Sequence, residues 1–138
     1  MDRQPGLAEQ STTGQPVFET GCEYVVDAYE CDSLALRDLP ALRGLCNEIV
    51  AHLGLKVVGE PHWHQFPDPG GVTGLYLLSE SHLACHTYPE FGFASFNLYC
   101  CRRNTDWPWE TALAKTIGSR RVVVRSLPRG QHNDEVSA

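Results

Sequence analysis

The sequence lacks several features that would assign it to common classes of protein. It has only 11 lysine and arginine residues against 17 aspartate and glutamate residues, which gives a formal net charge of −6. Nucleic-acid-binding domains need a basic stripe, and anionic membranes attract basic segments, so this charge disfavours both partners. No apolar run approaches the roughly 20 residues of a membrane span, and the polar N-terminus lacks the hydrophobic stretch of a signal peptide. We therefore expect a cytoplasmic protein.

The cysteines form no CxxC pair and show no regular spacing. A disulfide framework is typical of secreted proteins, and this sequence has no secretion signal. We expect most of the six thiols to be reduced and buried as small apolar residues: Cys22, Cys31, Cys46, Cys85, Cys100 and Cys101.

Length and composition predict one globular domain. The chain has 138 residues, of which 42% are hydrophobic and 20% charged, a balance typical of folded proteins. A chain of this length buries about two-thirds of its unfolded surface. Residues 1–20 are rich in Gln, Gly, Pro, Ser and Thr without periodicity. We interpret them, and residues 131–138, as mobile tails around a domain that spans residues 21–130.

The first half of this domain predicts a strand, a helix and a second extended segment. Cys22–Glu30 is rich in β-branched and aromatic residues, which indicates a strand. A helix follows, with Pro40 in its first turn and Gly54 at its C-terminal cap. Its apolar face has three- or four-residue spacing: Leu42, Leu45, Ile49 and Leu53. Leu55–Phe66 is predicted to be extended, and a Pro- and Gly-rich turn follows at residues 67–71.

The second half predicts further strands and one more helix. Val72–Leu78 is a short apolar strand, and Phe91–Cys101 alternates so that successive side chains point to opposite faces. Asp106 is a candidate N-cap for a helix, with Pro108 in its first turn, Gly118 at its end and a buried face of Trp109, Leu113 and Ile117. Arg121–Arg125 is the last strand.

The order β-α-β-β-β-β-α-β contains few helices, and turns join its neighbouring strands. It predicts an α+β fold, an α/β sandwich in which helices pack on one face of an antiparallel sheet.

The densest group of reactive side chains is Ser79–Glu90, which reads SESHLACHTYPE. Two serines, two histidines, two carboxylates and a thiol fall within it. In an arbitrary chain, an edge strand with solvent-facing polar residues explains such a group. A non-catalytic binding module or partner subunit is therefore one hypothesis.

Two catalytic alternatives rest on the histidines and cysteines. A zinc site could draw imidazoles from His62, His64, His82 and His86, but the His82–His86 spacing suits a helix and the flanks predict strands. A cysteine nucleophile is the other alternative. Cys85 and His86 would lie on opposite faces of a strand, whereas Cys101 paired with His86 stays open.

The same segment resembles, almost letter for letter, the self-processing motif of prokaryotic S-adenosylmethionine decarboxylases, a pyruvoyl-dependent family. The likeness covers about residues 21–130 and continues in order through further stretches: Asp27–Asp32, His64–Phe66, Gly71–Gly74, Phe91–Ala94, Cys101, and Asp106 with Pro108 and Trp109.

The resemblance implies that a precursor cuts itself between Glu80 and Ser81. Ser81 would become a covalent pyruvoyl group, which is the cofactor, and Glu80 would end the N-terminal chain. Thr73 matches a hydroxyl position that helps to stabilise the oxyanion. His86 matches the histidine that removes the α-proton of the serine. No metal is implied.

The resemblance also implies the second reaction, in which S-adenosylmethionine loses CO₂ to become the aminopropyl donor for spermidine synthesis. The pyruvoyl ketone forms a Schiff base with the substrate amine and accepts electrons, and Cys101 matches the acid that protonates the product carbon. Phe66 and Tyr88 match the aromatic pair that sandwiches adenine, and Glu90 matches the carboxylate that holds the ribose. The implied assembly is a layered homodimer of processed protomers.

Three departures from the family pattern bear on the substrate. Tyr88 stands where many members have Trp, and Asn97 stands where many have Asp, which removes a charge near the active strand. Residues 100–103, Cys-Cys-Arg-Arg, replace a usual Thr-Cys-Gly ending. Ornithine or arginine is therefore an alternative substrate, with Glu90 or Asp68 opposite its distal cation. The retained aromatic pair and Glu90 favour S-adenosylmethionine.

The motif residues also bear on the hypothesis of a non-catalytic subunit. Ser81, His86 and Cys101 occur together, which favours an enzyme over a partner subunit without chemistry.

Overall fold

A computed structural model describes residues 9–10, 16–101 and 106–130 of the chain. Two short strands, β1 (Glu9–Gln10) and β2 (Pro16–Val17), form an antiparallel ladder within the segment predicted to be a tail. The rest of the two predicted tails lies outside the described residues, and so do both arginines of residues 100–103.

Six strands form one antiparallel sheet: β3 (Gly21–Tyr29), β4 (His62–Gln65), β5 (Val72–Leu78), β6 (Ser81–Tyr88), β7 (Phe93–Cys100) and β8 (Arg121–Arg129). Their spatial order is β4-β5-β6-β7-β3-β8, with every neighbouring pair antiparallel. Two helices, α1 (Leu39–His52) and α2 (Trp109–Ile117), complete the main unit. The predicted element order and the α+β fold class are confirmed. In the described residues, no helix is long and apolar enough to cross a membrane.

Alternation along the strands creates one core face and one open face of the sheet. On β7, Ala94, Phe96, Leu98 and Cys100 are buried, whereas the side chains between them are partly exposed. The buried set packs with the apolar residues of α1 and α2 in a single core. Each large side chain buried in this way stabilises the fold by about 1.5–3 kcal/mol. The alternate side chains make up the open face, which carries the polar residues of the site.

Helix α1 has the ends that the sequence predicts. Asp38 accepts a hydrogen bond from the backbone N–H of Ala41 at 3.1 Å, and Pro40 lies in the first turn. Gly54 has a φ of 65°, a left-handed conformation that glycine adopts without strain. The N–H of Leu55 can therefore donate to the carbonyl of Val50 at 2.9 Å, which closes the helix.

The predicted N-cap of α2 is wrong. Pro108 occupies the cap position and provides no side-chain hydrogen bond. Oδ1 of Asp106 lies 3.3 Å from Nε2 of His52 instead, so this carboxylate contacts α1 rather than the start of its own helix.

Three extended segments also differ in length from the prediction. Leu55–Phe66 forms a strand only at β4, with one isolated bridge between Val57 and Leu78. Phe91 belongs to a 3₁₀ turn, Pro89–Phe91, because Pro89 cannot donate to a ladder. Strand β8 continues to Arg129 because it pairs with the whole of β3.

Candidate active site

The motif segment forms a hairpin in which a two-residue turn joins β5 to β6. Leu78 pairs with Ser81, so Ser79 and Glu80 make the turn. The backbone of Ser81 has a φ of 129°, a region that residues other than glycine rarely adopt and that stores strain. The strain lies on the residue that follows the expected scissile bond.

The end of β7 brings Cys101 to this turn. Because β7 pairs antiparallel with β6, with Tyr99 opposite His82, the residue after Cys100 comes level with Glu80. The Cys101 thiol donates a hydrogen bond to Oε1 of Glu80. Among the described residues, Oε2 of Glu80 is buried without a hydrogen-bond partner. We call Glu80, Ser81 and Cys101 the turn cluster.

The other five predicted site residues line a cavity at the opposite end of β6. The cavity measures about 290 Å³ and lies between the Pro-rich turn and the ends of β5 and β6. The lining includes Thr73 and His86, both rings of the predicted aromatic pair, and Glu90. Phe66 is 51% exposed and Tyr88 is 39% exposed, so both rings are accessible to a ligand. The complete lining is Phe66, Pro67, Pro69, Gly71, Thr73, His86, Thr87, Tyr88 and Glu90.

Thr73 and His86 meet across the ladder between β5 and β6. Their Cα atoms are partners in the register, and Oγ1 of Thr73 lies 3.1 Å from Nδ1 of His86. A threonine hydroxyl can accept from Nδ1–H, and in that tautomer Nε2 can take up a proton. The contact therefore fixes the orientation of the imidazole ring.

Two residues without a predicted role in the site, Gly71 and Thr87, fix the wall of this cavity. A Cβ atom at Gly71 would lie 2.6 Å from the carbonyl oxygen of Thr87, so a larger residue would push the turn away from β6. The Thr87 hydroxyl donates to the carbonyl of Leu36 at 2.7 Å and accepts from the N–H of Val72 at 2.9 Å. The sequence signal for Gly71 is the Pro-Gly-Gly turn itself.

Strand β6 keeps the turn cluster and the cavity apart within one chain. Ser81 and His86 are five residues apart on an extended strand, and a rise of about 3.3 Å per residue separates them by roughly 16 Å. Direct proton transfer needs heavy atoms about 2.6–3.2 Å apart. One protomer therefore brings Ser81 together with Glu80 and Cys101, but not with Thr73 or His86. Cys101 and His86 are not brought together either.

The cysteine-nucleophile alternative fails at Cys85. Its side chain is 1% exposed on the core face, opposite His86 as predicted. A hydrogen bond with Cys46 and burial raise the pKa of Cys85, and a raised pKa disfavours the nucleophilic thiolate. All six cysteines lie in described residues and none forms a disulfide; the buried ones are Cys22, Cys46, Cys85 and Cys100.

The zinc alternative lacks an assembled set of ligands. Within residues 9–10, 16–101 and 106–130, no three His, Cys, Asp or Glu side chains are grouped closely enough to hold a metal ion.

Glu23 is a charged residue near the turn cluster that the sequence analysis missed. Nδ2 of Asn97 donates to Oε2 of Glu23 at 2.8 Å, and Oδ1 of Asn97 lies 2.8 Å from Nε2 of His82. Arg129 forms an ion pair with Glu23. The expected loss of charge at Asn97 is therefore offset, because β3 supplies a carboxylate beside it.

Comparison with known proteins assigns the chain to a family. Residues 22–130 match the profile of S-adenosylmethionine decarboxylase. The chain belongs to the S-adenosylmethionine decarboxylase family. Over 116 residues it is 33% identical to the S-adenosylmethionine decarboxylase proenzyme of Thermotoga petrophila, and the alignment covers 83% of this chain and 87% of that protein.

Two further relatives of the decarboxylase family support this assignment. The proenzyme of Symbiobacterium thermophilum is 40% identical over 111 residues, with 80% of this chain and 83% of that protein covered. The crystal structure of the adenosylmethionine decarboxylase from Aquifex aeolicus matches with a TM-score of 0.69 at 25% identity, covering 87% of this chain and 98% of that chain. The family predicted from the motif is confirmed, and the sequence relatives carry names that describe precursors.

For this family member, we expect Thr73→Val to slow precursor cleavage by at least about tenfold, because the imidazole of His86 loses the hydroxyl that orients it. Thr73→Ser keeps the hydroxyl and should cleave within about threefold of the parent chain. The fraction of cut chain against time on denaturing gels measures both rates. Equal slowing by the two substitutions would contradict the hydrogen-bonding role and indicate a packing defect.

Proposed function

We propose that this protein is a self-cleaving, pyruvoyl-dependent decarboxylase that acts on S-adenosylmethionine in the cytoplasm and supplies the aminopropyl donor for spermidine synthesis. The observation that carries the proposal is Ser81, which has a φ of 129° in a two-residue turn whose carboxylate accepts a hydrogen bond from the Cys101 thiol. Cysteines without disulfides agree with a reducing compartment.

Cleavage begins when the hydroxyl oxygen of Ser81 attacks the carbonyl carbon of Glu80. The C–N bond then breaks, the hydroxyl proton passes to the amine nitrogen, and an ester replaces the amide. Breaking this bond releases the backbone strain at Ser81, which favours the ester. A preformed turn also holds the reacting atoms close together, so little ordering is needed to reach the transition state.

His86 is the base that we propose for the next step. It removes the α-proton of Ser81. The bond between Cβ of Ser81 and the ester oxygen then breaks, so that Glu80 leaves as a chain-terminal carboxylate. The remaining dehydroalanine tautomerises and takes up one water as ammonia departs, which leaves the pyruvoyl group. Thr73 orients His86 for this proton transfer and is the candidate oxyanion donor.

The residues around Ser81 fit a pyruvoyl group at this position. Its ketone would accept the electron pair released with CO₂. Cys101 lies beside the same turn, and we propose that its thiol returns a proton to the substrate carbon. A thiol suits this role because its ordinary pKa of about 8.5 lies close to physiological pH.

A homodimer would unite the two halves of the site. A two-fold axis across the open faces would set the turn cluster of one protomer against the cavity of its partner, and symmetry repeats the arrangement at the second site. Exposed apolar side chains on the open face support this contact: Leu75 is 49%, Leu77 60% and Leu127 48% exposed. The separation of about 16 Å along β6 is the main argument for it.

The cavity favours S-adenosylmethionine over ornithine or arginine. Two accessible aromatic rings suit a purine and the neighbouring sulfonium, and Glu90 can accept from ribose hydroxyls. Ornithine and arginine have neither a purine ring nor ribose hydroxyls. Asp68, the alternative carboxylate for a distal cation, lies 3.8 Å from Arg37 and its side chain is 94% exposed, which makes it a poor anchor.

Release of CO₂ from each substrate tests the proposed activity. The purified protein should decarboxylate S-adenosylmethionine, with at least about a hundredfold preference over ornithine and arginine. Cys101→Ala should still cut its chain but decarboxylate about a hundredfold more slowly, because a general acid contributes at least that much to the rate. A cut protein that prefers ornithine or arginine would overturn the substrate, and full activity in Cys101→Ala would overturn the proposed acid.

Mixing two inactive chains tests the shared site. Ser81→Ala and His86→Ala are each expected to stay uncut alone. Co-expressed, a mixed dimer combines intact Ser81 of one chain with His86 of the partner subunit. With random pairing, about half of the His86→Ala chains should then be cut. Mass spectrometry distinguishes the chains, and absence of any cut product in demonstrably mixed dimers would contradict the shared arrangement.

A further inference from the structure

We propose that Glu23 and Asn97 are positioning residues for precursor cleavage, which hold the imidazole of His82 in one orientation and one tautomer beside Ser81. This inference rests on the proposed self-cleavage and deepens it. None of the three residues belongs to the turn cluster or to the cavity. They form a separate polar chain on the open face of the sheet.

The polar chain crosses four neighbouring strands with one residue from each. Arg129 of β8 pairs with Glu23 of β3. Glu23 accepts from Asn97 of β7 at 2.8 Å, and Asn97 contacts His82 of β6 at 2.8 Å. The spatial order of these strands is β6-β7-β3-β8, so each contact joins adjacent strands. The chain ends on the residue directly after Ser81.

Donor and acceptor chemistry fixes the direction of every bond in this chain. The Asn97 bond lowers the pKa of Glu23, and Arg129 lowers it further against the effect of burial, so Glu23 is an ionised carboxylate that can only accept. Nδ2 of Asn97 must therefore face Glu23, which leaves Oδ1 to accept from His82. The ring of His82 must carry a proton on Nε2, and in the neutral ring only Nδ1 can accept one.

A second contact clamps the same ring. His82 and Tyr99 are partners in the register, and their ring centroids lie 6.0 Å apart at 75°. The hydroxyl of Tyr99 lies 2.6 Å from that of Thr20, and the Arg129 guanidinium lies 5.4 Å from the Tyr99 ring. His82 is therefore held by a hydrogen bond and by an aromatic edge.

Holding His82 constrains the backbone on its N-terminal side. The peptide that joins Ser81 to His82 can rotate less when the following side chain is fixed, and strained backbone persists only where its surroundings over-determine it. Asn97 and Tyr99 contact His82, and the charged Glu23 and Arg129 lie beyond them along the polar chain. On β5, the register partner of His82 is the apolar Leu77. Removing the Glu23 carboxylate should loosen this arrangement without touching Ser81.

Single substitutions supply the first test. Glu23→Gln lets the amide of Asn97 turn either way, and Asn97→Leu removes it, so each should slow precursor cleavage by about tenfold. Asp27→Asn is the matched control, because Asp27 lies on the same face of β3 and pairs with Arg125 of β8 at 3.3 Å. It should cleave at the parent rate. Thermal unfolding in a Ser81→Ala background checks that the variants fold.

A double variant separates positioning from a general loss of stability. Glu23→Gln with Asn97→Asp exchanges the amide and the carboxylate, so that the amide donates to the carboxylate and the carboxylate accepts from Nε2–H of His82. Cleavage should return to within about threefold of the parent. The pH dependence of its cleavage rate should also shift to higher pH, because a carboxylate in direct contact raises the pKa of an imidazole. Additive slowing in the double variant would overturn the proposal.

Nitrogen-15 NMR of uncut Ser81→Ala protein tests the tautomer without changing the polar chain. At a pH where the imidazole is neutral, His82 should show the shifts of a ring protonated at Nε2, and the opposite tautomer would overturn the proposal. Parent-like cleavage in both Glu23→Gln and Asn97→Leu, with an unchanged pH profile, would also overturn it. A parent chain that never cuts would instead contradict the proposed function, which is a separate result.

Discussion

The antiparallel pairing of β6 between β5 and β7 positions the centre of the candidate site. Its register with β5 confines the turn to Ser79 and Glu80 and sets Thr73 opposite His86. Its register with β7 brings Cys101 level with Glu80. Because side chains alternate along a strand, a slip of one residue would turn His86 into the core and expose Cys85. The buried Leu83, Cys85 and Thr87 on one face of β6 therefore hold His82 and His86 on the other.

The same pairing places the candidate site residues in two separate groups, the turn cluster and the cavity. An extended strand cannot bring its own ends together, so the proposed nucleophile at Ser81 and the proposed base at His86 stay about 16 Å apart in one chain. In the proposed homodimer, a second copy of the sheet would cover the exposed open face and complete each site. The strained backbone of the turn must also be maintained by local contacts. The polar chain from Arg129 to His82 supplies such contacts from three further strands.

Local patterns in the sequence predicted what depends on local physics. Period-two alternation identified both faces of β7, and the spacing of apolar residues identified α1. The family resemblance, rather than any local pattern, pointed to Ser81 and to five of the residues that line the cavity. Long-range order was not predictable in this way. Nothing in the local pattern reveals that β3 lies between β7 and β8, so the contact of Glu23 with Asn97 was missed. The cap at Asp106 was wrong because His52, 54 residues away in sequence, competes for that carboxylate.

The most direct test of the account is the intact mass of the freshly purified protein. We predict two fragments that meet at the Glu80–Ser81 bond, with the C-terminal fragment, residues 81–138, lighter by one ammonia than simple hydrolysis would leave it. That mass identifies the chemistry as well as the position of the cut, since only conversion of the serine to a pyruvoyl group removes the nitrogen. A single uncut chain after long incubation, or a C-terminal fragment that keeps an N-terminal serine, would contradict the proposed self-cleavage.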